Sequence, residues 1–386
     1  MTQRSSPRRR RWLGAVFVAM VLAGCGSTVP PVTTPEAPTG PAATPTATAI
    51  ETASSVPATP KPTIPPSIET PPPSSEPSPT ETVGPVVQEQ FGARAIAFVD
   101  RSHGIVVGGG GPAGTRGVVR ITRNGGRTWS RTITLASGPL LAVAVAGPHQ
   151  AWAVATCDAE APAGCIAGIF RSGDGGVTGT RISATVIRSP SFVDVDHGWA
   201  IRETDDQRGG LDEDVLKTSD GGRTWARVAN GCPARFGPPI AISFVDLRHG
   251  WIACNETYGA GAAAKGIAET VDGGRHWAAR SGTSGDQGSL GSISWSDYVF
   301  ALAMRPNGTG VWLGERGTTA RTTDSGRRWS YGGPGDFDVD IASAASLPTD
   351  RTWFVVMWLA NAQETALERS DDAGRHWRIV GRIGVP

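Results

Sequence analysis

The side chains in this chain that could move protons, hold metal or attack a substrate sit in repeated settings. Four of the six histidines, His103, His149, His197 and His249, fall in an Asp-x-x-His-Gly stretch or a looser form of it, and His276 and His376 each stand just before a tryptophan. None stands apart as a general base or metal ligand. Of the five cysteines, Cys25 lies far from the rest; Cys157, Cys165, Cys232 and Cys254 show no Cys-x-x-Cys spacing and no accompanying histidine, which argues against zinc. A glycosidase would need two facing carboxylates. Glu203, Asp206, Glu256 and Glu315 are available, but no spacing singles out a pair. The acidic run from Glu203 to Asp214 lacks the ordered ligand spacing of a calcium loop and reads as a solvated hairpin loop. Tyr258 lies in a Gly/Ala loop, Tyr298 reads as a strand residue, and Tyr331 follows a strand-opening Trp-Ser. No catalytic residue, metal site or cofactor is assigned.

Those settings are two motifs that recur along the chain. The first, [ST]-x-[DN]-x-G-x-x-W, has its acidic or amide position at Asn124, Asp174, Asp220, Asp272, Asp324 and Asp372. Its tryptophans are Trp129, Trp225, Trp277, Trp329 and Trp377, and Gly179 takes that place in the second copy. The steps between copies are 50, 46, 52, 52 and 48 residues, and a period near fifty signals a repeat architecture. A Gly pair flanked by Asp and Thr or Ser marks a tight turn whose N–H groups the Asp can accept, with the Trp opening the next strand. The second motif, Phe192-Val193-Asp194-Val195-Asp196-His197-Gly198-Trp199, returns from Phe98 and from Phe244, and more loosely near Trp152, Trp312 and Trp353. It reads as strand, turn, strand. Each unit is then four antiparallel strands, and six units predict an all-β, six-bladed β-propeller with blades near 90–137, 138–188, 189–237, 238–289, 290–338 and 339–386. A strand from Val86 and Val87 would make seven. The ring is expected to close by packing between the first and last blades. The remaining four cysteines pair as Cys157–Cys165, across a strand 2–3 loop, and Cys232–Cys254, at the entry to blade 4, among three formal connectivities.

The first motif resembles the Asp-box, or BNR, repeat of bacterial sialidases, sortilin-type receptors and the photosystem II assembly/stability factor family. The stretch Trp312-Leu313-Gly314-Glu315-Arg316-Gly317 before the fifth copy is similar to the Gly-x-x-Gly strand of the last group. That resemblance implies a propeller and a non-enzymatic scaffold. Sialidase chemistry would need an arginine cluster, a Tyr–Glu pair and an Asp, and no Phe-Arg-Ile-Pro-like strand matches here. An Arg cluster with a Tyr–Glu pair at the central channel would be the structural sign of the carbohydrate alternative.

The N-terminus tells where the propeller works. Arg8 to Arg11 precede an apolar stretch, Trp12 to Ala23, too short to span a bilayer. This is a secretory signal over 1–24. It ends in Leu22-Ala23-Gly24-Cys25, which resembles a lipobox and implies lipidation of Cys25; Arg9-Arg10-Arg11-Trp12-Leu13 also resembles a twin-arginine export motif. Residues 25–87 are rich in Pro, Thr, Ser and Ala and cannot bury enough surface to fold, so they read as a disordered tether before a propeller over 88–386. The formal net charge of +1 implies no attraction to nucleic acid.

These readings together predict an exported propeller anchored by lipid to the outer face of the cytoplasmic membrane or envelope, binding an envelope protein, with a glycan ligand as the alternative. Its motif turns share one face. The other face carries loops that differ in every blade, among them Gly110 to Arg116, 203–214, Asn255 to Lys265 and Asn361 to Glu364. Arg116, Arg202, Glu203, Glu256, Tyr258, Glu315 and Arg316 are the expected binding residues there.

Overall fold

The computed structural model describes residues 91–384 apart from 112–113, 158–160, 162, 203–213, 234–235, 257–263, 284–290, 295–296, 315–316, 334–340 and 360–363. The signal segment, Cys25, the tether, Val86 and Val87 lie outside the described residues.

Each blade is one continuous stretch of chain. Blade 1 is β1 (Phe91–Phe98), β2 (Gly104–Gly110), β3 (Arg116–Thr122) and β4 (Ile133–Ala136). Blade 2 is β5 (Leu140–Ala146), β6 (Gln150–Ala155), β7 (Gly168–Ser172) and β8 (Thr180–Ser183). Blade 3 is β9 (Ile187–Phe192), β10 (Gly198–Arg202), β11 (Val215–Thr218) and β12 (Ala226–Ala229). Blade 4 is β13 (Pro239–Phe244), β14 (Gly250–Asn255), β15 (Lys265–Thr270) and β16 (Ala278–Gly282), with a short fifth strand, β17 (Gly291–Ser292), parallel to β16. Blade 5 is β18 (Val299–Met304), β19 (Gly310–Gly314), β20 (Thr319–Thr322) and β21 (Ser330–Tyr331). Blade 6 is β22 (Ile341–Ser346), β23 (Trp353–Leu359), β24 (Glu364–Ser370) and β25 (Arg378–Gly384). The main strands of every blade pair antiparallel in sequence order. The first strands of successive blades neighbour one another, and β22 returns to β1, so six blades close the ring. Two boundaries differ from the expectation. Blade 3 begins at Ile187, and Gly291–Ser292 extends blade 4 instead of opening blade 5, because it pairs with the outer strand already in place.

Both motifs are explained by local bonds. In the first, Thr218 Oγ1 accepts from Gly222 N at 2.9 Å while donating to Asp220 Oδ1 at 2.8 Å. Asp220 in turn accepts from Arg223 N and Thr224 N, both at 3.0 Å. Gly221 and Gly222 hold φ of 73° and 89°, a region L side chains resist. In the second, Asp194 Oδ1 accepts from Asp196 N and His197 N, at 2.8 and 2.7 Å, and its other oxygen meets His197 Nδ1 at 2.9 Å. Gly198 follows because a Cβ there would stand 2.7 Å from the Phe192 ring. One backbone bond ties the two turns of every blade at 2.8–3.0 Å, as in Gly221 N to the Asp196 carbonyl. All twelve turns therefore lie at one end of the ring.

The blades meet through a repeated aromatic ladder. Trp152, Trp199 and Phe354, on second strands, stack on Phe192, Phe244 and Phe98 of the next blade at 3.8, 3.8 and 3.7 Å. Arg171, Lys217 and Arg369 cap the outer faces of those rings. Trp225, Trp277 and Trp129 meet the same phenylalanines edge-on. The last of these ladders joins blade 6 to blade 1, so closure uses the same contact as the seams between blades 2 and 3 and between blades 3 and 4. Ser346 Oγ adds a bond from Phe98 N at 2.8 Å across that closing seam. Ser189, Ser191 and Ser243 do the same for Ile242, Phe244 and Met304 of the blade that follows, at 2.8–3.0 Å. These hydroxyls satisfy N–H groups on inner edge strands that no further strand can reach.

Candidate functional site

The end of the ring opposite the repeated turns holds a cavity of about 840 Å³, bounded by the inner strands of all six blades. It opens where the first strands begin and the second strands end, which is the face with divergent loops. Its size is that of a small-ligand or peptide site.

One backbone irregularity shapes it. Each inner strand carries an extra residue relative to its partner, at one level in five blades and nearer the turns in blade 3, and a bulge of this kind re-aims a side chain. The extra residues are Arg94, Leu141, Ile240, Phe300 and Ser343, and in blade 3 the pair Ser189-Pro190 faces the single Ala200. Ser189 takes a φ of 49°, and Pro190 is tolerated because the bulge has no ladder bond for it to make. Arg94, Leu141, Ser189, Ile240 and Phe300 all line the cavity.

The polar lining is sparse. Arg94 is exposed, and among the described residues it has no hydrogen-bond or ion-pair partner. Arg188 donates to the Pro239 carbonyl at 2.8 Å. The Asn255 amide is committed to blade 5, donating to Val299 O at 2.8 Å and accepting from Val299 N at 3.3 Å. Glu256 is the one carboxylate among the described lining residues; its Oε2 accepts from Ala264 N at 3.4 Å. Tyr298, Phe300 and Trp358 supply an aromatic side from blades 5 and 6. Nearby but behind the wall, Lys265 is fully buried with its ammonium on the Asp297 carbonyl. Burial pushes its pKa down to about 8, against the opposing pull of Asp297. The pair ties blade 4 to the start of blade 5.

The expected binding residues are thus distributed unevenly. Glu256 lines the cavity. Arg116 and Arg202 are exposed at strand ends on the same face, outside the cavity lining. Glu203, Tyr258, Glu315 and Arg316 lie outside the described residues. Asn255 and Lys265 are not loop residues as expected. They are paired across β14 and β15 and buried, because the strands run one step further and their polar ends find partners in blade 5. Arg94, Arg188, Phe300 and Trp358 were not anticipated. Arg94 amid Phe91-Gly-Ala and Ala-Ile-Ala-Phe98, and Pro190 inside a strand, were the available signals.

Asp174, Asp220, Asp272 and Asp372 are held ionised in their turns. Hydrogen bonds from Thr178 bring Asp174 down to about 2, and against the opposing effect of burial those from Thr224 bring Asp220 to about 2. Asn124 takes the same place in blade 1, accepting from Thr128 N at 2.9 Å. Asp272 and Asp372 are likewise lowered, by His276 and His376. Asp324 accepts from Arg327 N and Arg328 N. The indoles of Trp225, Trp277, Trp329 and Trp377 donate to the turn carbonyls of Gly222, Gly274, Gly326 and Gly374. Trp129 packs into the seam between blades 6 and 1. Both disulfides form as paired above, Cys157–Cys165 with Cα atoms 5.9 Å apart and Cys232–Cys254 with 6.0 Å. They fit an oxidising compartment. Among the described residues no cluster of His, Cys, Asp or Glu could hold a metal ion, and no helix is long and apolar enough to cross a membrane.

No family model and no curated protein matches the chain. Several solved propellers are similar to it. YCF48 bound to a D1 peptide is 17% identical, covering 76% of this chain and 84% of that one, with a TM-score of 0.43. YCF48 from Cyanidioschyzon merolae is 18% identical over 78% and 88%, with a TM-score of 0.44. The fucose-specific lectin from Aleuria aurantia is 13% identical over 77% and 99%, with a TM-score of 0.47. At these values the likeness carries no ligand or activity across to this chain.

Proposed function

We propose that this is a non-enzymatic, exported propeller that holds a protein partner at the cavity mouth, tethered to the envelope membrane through lipidated Cys25. The observation that carries this reading is the set of six inner-strand bulges around one cavity on the face whose loops differ from blade to blade. The motif face spends its polar groups on its own turns, in the Asp-box manner. Two tests apply. A photo-crosslinking residue in place of Phe300 should capture an envelope protein in intact cells, and one in place of Arg127 on the motif face should not; capture from Arg127 alone would sink the assignment. Cys25→Ala should release the domain from the membrane fraction or leave it with its signal uncleaved, and an unchanged mass and lipid labelling would count against the anchor.

A carbohydrate ligand is the second reading, favoured by Arg94, Arg188, Glu256 and Tyr298 lining one cavity together with the indole of Trp358. Against catalysis, the described lining offers one carboxylate where a glycosidase needs two. Arg94 and Arg188 also belong to blades 1 and 3, with blade 2 between them. Glycan-array binding that depends on Trp358 would favour this reading over the first.

A further inference from the structure

The six bulged positions form a collar around the cavity. Elsewhere on the inner strands the seam position is apolar and repeats in kind: Phe98, Phe192 and Phe244 occupy it in three blades and perform one packing task, and Met304 holds it in blade 5. At the collar the residues are Arg, Leu, Ser-Pro, Ile, Phe and Ser, although the backbone there is bulged in all six blades. Residue types that diverge on a repeated backbone are not set by the repeat's packing.

Two of them are placed for contact with something outside the fold. Phe300 leaves 53% of its surface exposed, a large cost for an aromatic ring on a strand. Arg94 presents a guanidinium with no partner among the described residues, whereas Arg188 is engaged by the Pro239 carbonyl. Among the described lining residues, two arginines, Arg94 and Arg188, stand against the single carboxylate of Glu256. Around the ring Arg94 adjoins Leu141 of blade 2, and Ile240 and Phe300 lie together on blades 4 and 5. A cation on one side and apolar surface on the other are complementary to a carboxylate beside a bulky apolar group.

The geometry points to the collar as the reader of a partner segment in which an acidic side chain stands next to a large apolar one. Arg94 takes the carboxylate, with the paired geometry a guanidinium favours, and Ile240 and Phe300 take the apolar side chain. This rests on the protein-binding reading above and adds the chemistry of the segment bound.

The test selects a displayed library of short random peptides on the purified full chain, beside Arg94→Glu, Phe300→Ala and the motif-face control Arg127→Glu. All three changes are at exposed side chains, and matched thermal midpoints establish that each variant is folded. The wild type should enrich peptides pairing Asp or Glu with Leu, Ile, Phe or Trp. Arg94→Glu should weaken those peptides by about tenfold or more and enrich Lys or Arg in their place. Phe300→Ala should keep the acidic preference and lose the apolar one, and Arg127→Glu should select as the wild type does. Peptides that lack acidic residues yet depend on Phe300 would overturn this inference while leaving the protein-binding reading standing. So would an unchanged selection by Arg94→Glu. If no peptide is enriched, the inference fails, and the Phe300 crosslink in cells then decides whether the protein-binding reading fails with it.

Discussion

A single buried hydroxyl organises each repeated turn. Thr218 is 2% exposed, and its oxygen serves Gly222 N, Asp220 N and the Asp220 carboxylate at once. Thr122, Ser172, Thr270, Thr322 and Ser370 hold the same place in the other blades, each accepting from a buried glycine N–H. Thr218→Val keeps the shape and removes the acceptor, leaving a buried donor unsatisfied, so it should cost about 1–3 kcal/mol in denaturant unfolding. Thr218→Ser should cost much less, since the oxygen remains. The carboxylates beside these hydroxyls set an acid limit. Asp174 and Asp220 sit at about 2 when folded, below their ordinary value of 3.8. The unfolded chain therefore binds more protons between those values, and stability falls as pH drops from about 4 towards 2. The thermal midpoint should fall across that window, and Asp174→Asn with Asp220→Asn should flatten the decline while lowering the plateau above it. Because both groups are largely solvated, the slope per residue should be shallow.

At the scale of elements, blade 2 shows how one seam was solved differently. Its turn keeps the bonds of the Ser172 hydroxyl and the Asp174 carboxylate, which accepts from Thr178 N at 2.9 Å, but Gly179 stands where other blades have Trp. The space is filled from blade 1: Leu135 of β4 lies against Gly179 so closely that even a Cβ would clash. Gly179→Trp should therefore destabilise the fold, and Leu135→Ala in the same chain should recover part of the loss, a coupling that a double-mutant cycle would measure. Additive losses would mean the indole has no seam to enter. This is also where the sequence was legible and where it was not. Strands and turns could be read because the Phe, Asp-His-Gly and Asp-Gly-Gly spacings repeat, and a repeated spacing reports a repeated local geometry. The inner-strand bulges could not. An added residue breaks the two-residue alternation that identifies which side of a strand faces the core, so the spacing does not show that Arg94 and Phe300 face a channel, and only the isolation of Arg94 among apolar residues marks it out. Lys265 misled for a related reason: a lysine beside a Gly/Ala loop reads as exposed until the neighbouring blade supplies Asp297.

For the whole molecule the question is what keeps the ring shut. Many rings could be locked by borrowing a strand from the far end of the chain, yet here every described blade is complete in itself and β22 meets β1 by side-chain packing. The closing seam is built from the same parts as two internal ones. Phe354 stacks on Phe98 at 3.7 Å under Arg369, as Trp199 stacks on Phe244 at 3.8 Å under Lys217. Phe354 and Trp199 are both fully buried. If closure depends on this ladder, Phe354→Ala and Trp199→Ala should each cost about 3–5 kcal/mol, the range for emptying a large aromatic from a core. The closing seam differs in one respect. Its two blades are joined by no direct chain connection, so loosening it separates the ends of the propeller, whereas loosening the blade 3–4 seam leaves its blades tethered by residues 230–238. Phe354→Ala should accordingly raise amide exchange across β1 and β22 well before global unfolding, while Trp199→Ala should raise it less across β9 and β13. Equal protection at both seams in the two variants would show that something other than the aromatic ladder holds blade 6 to blade 1.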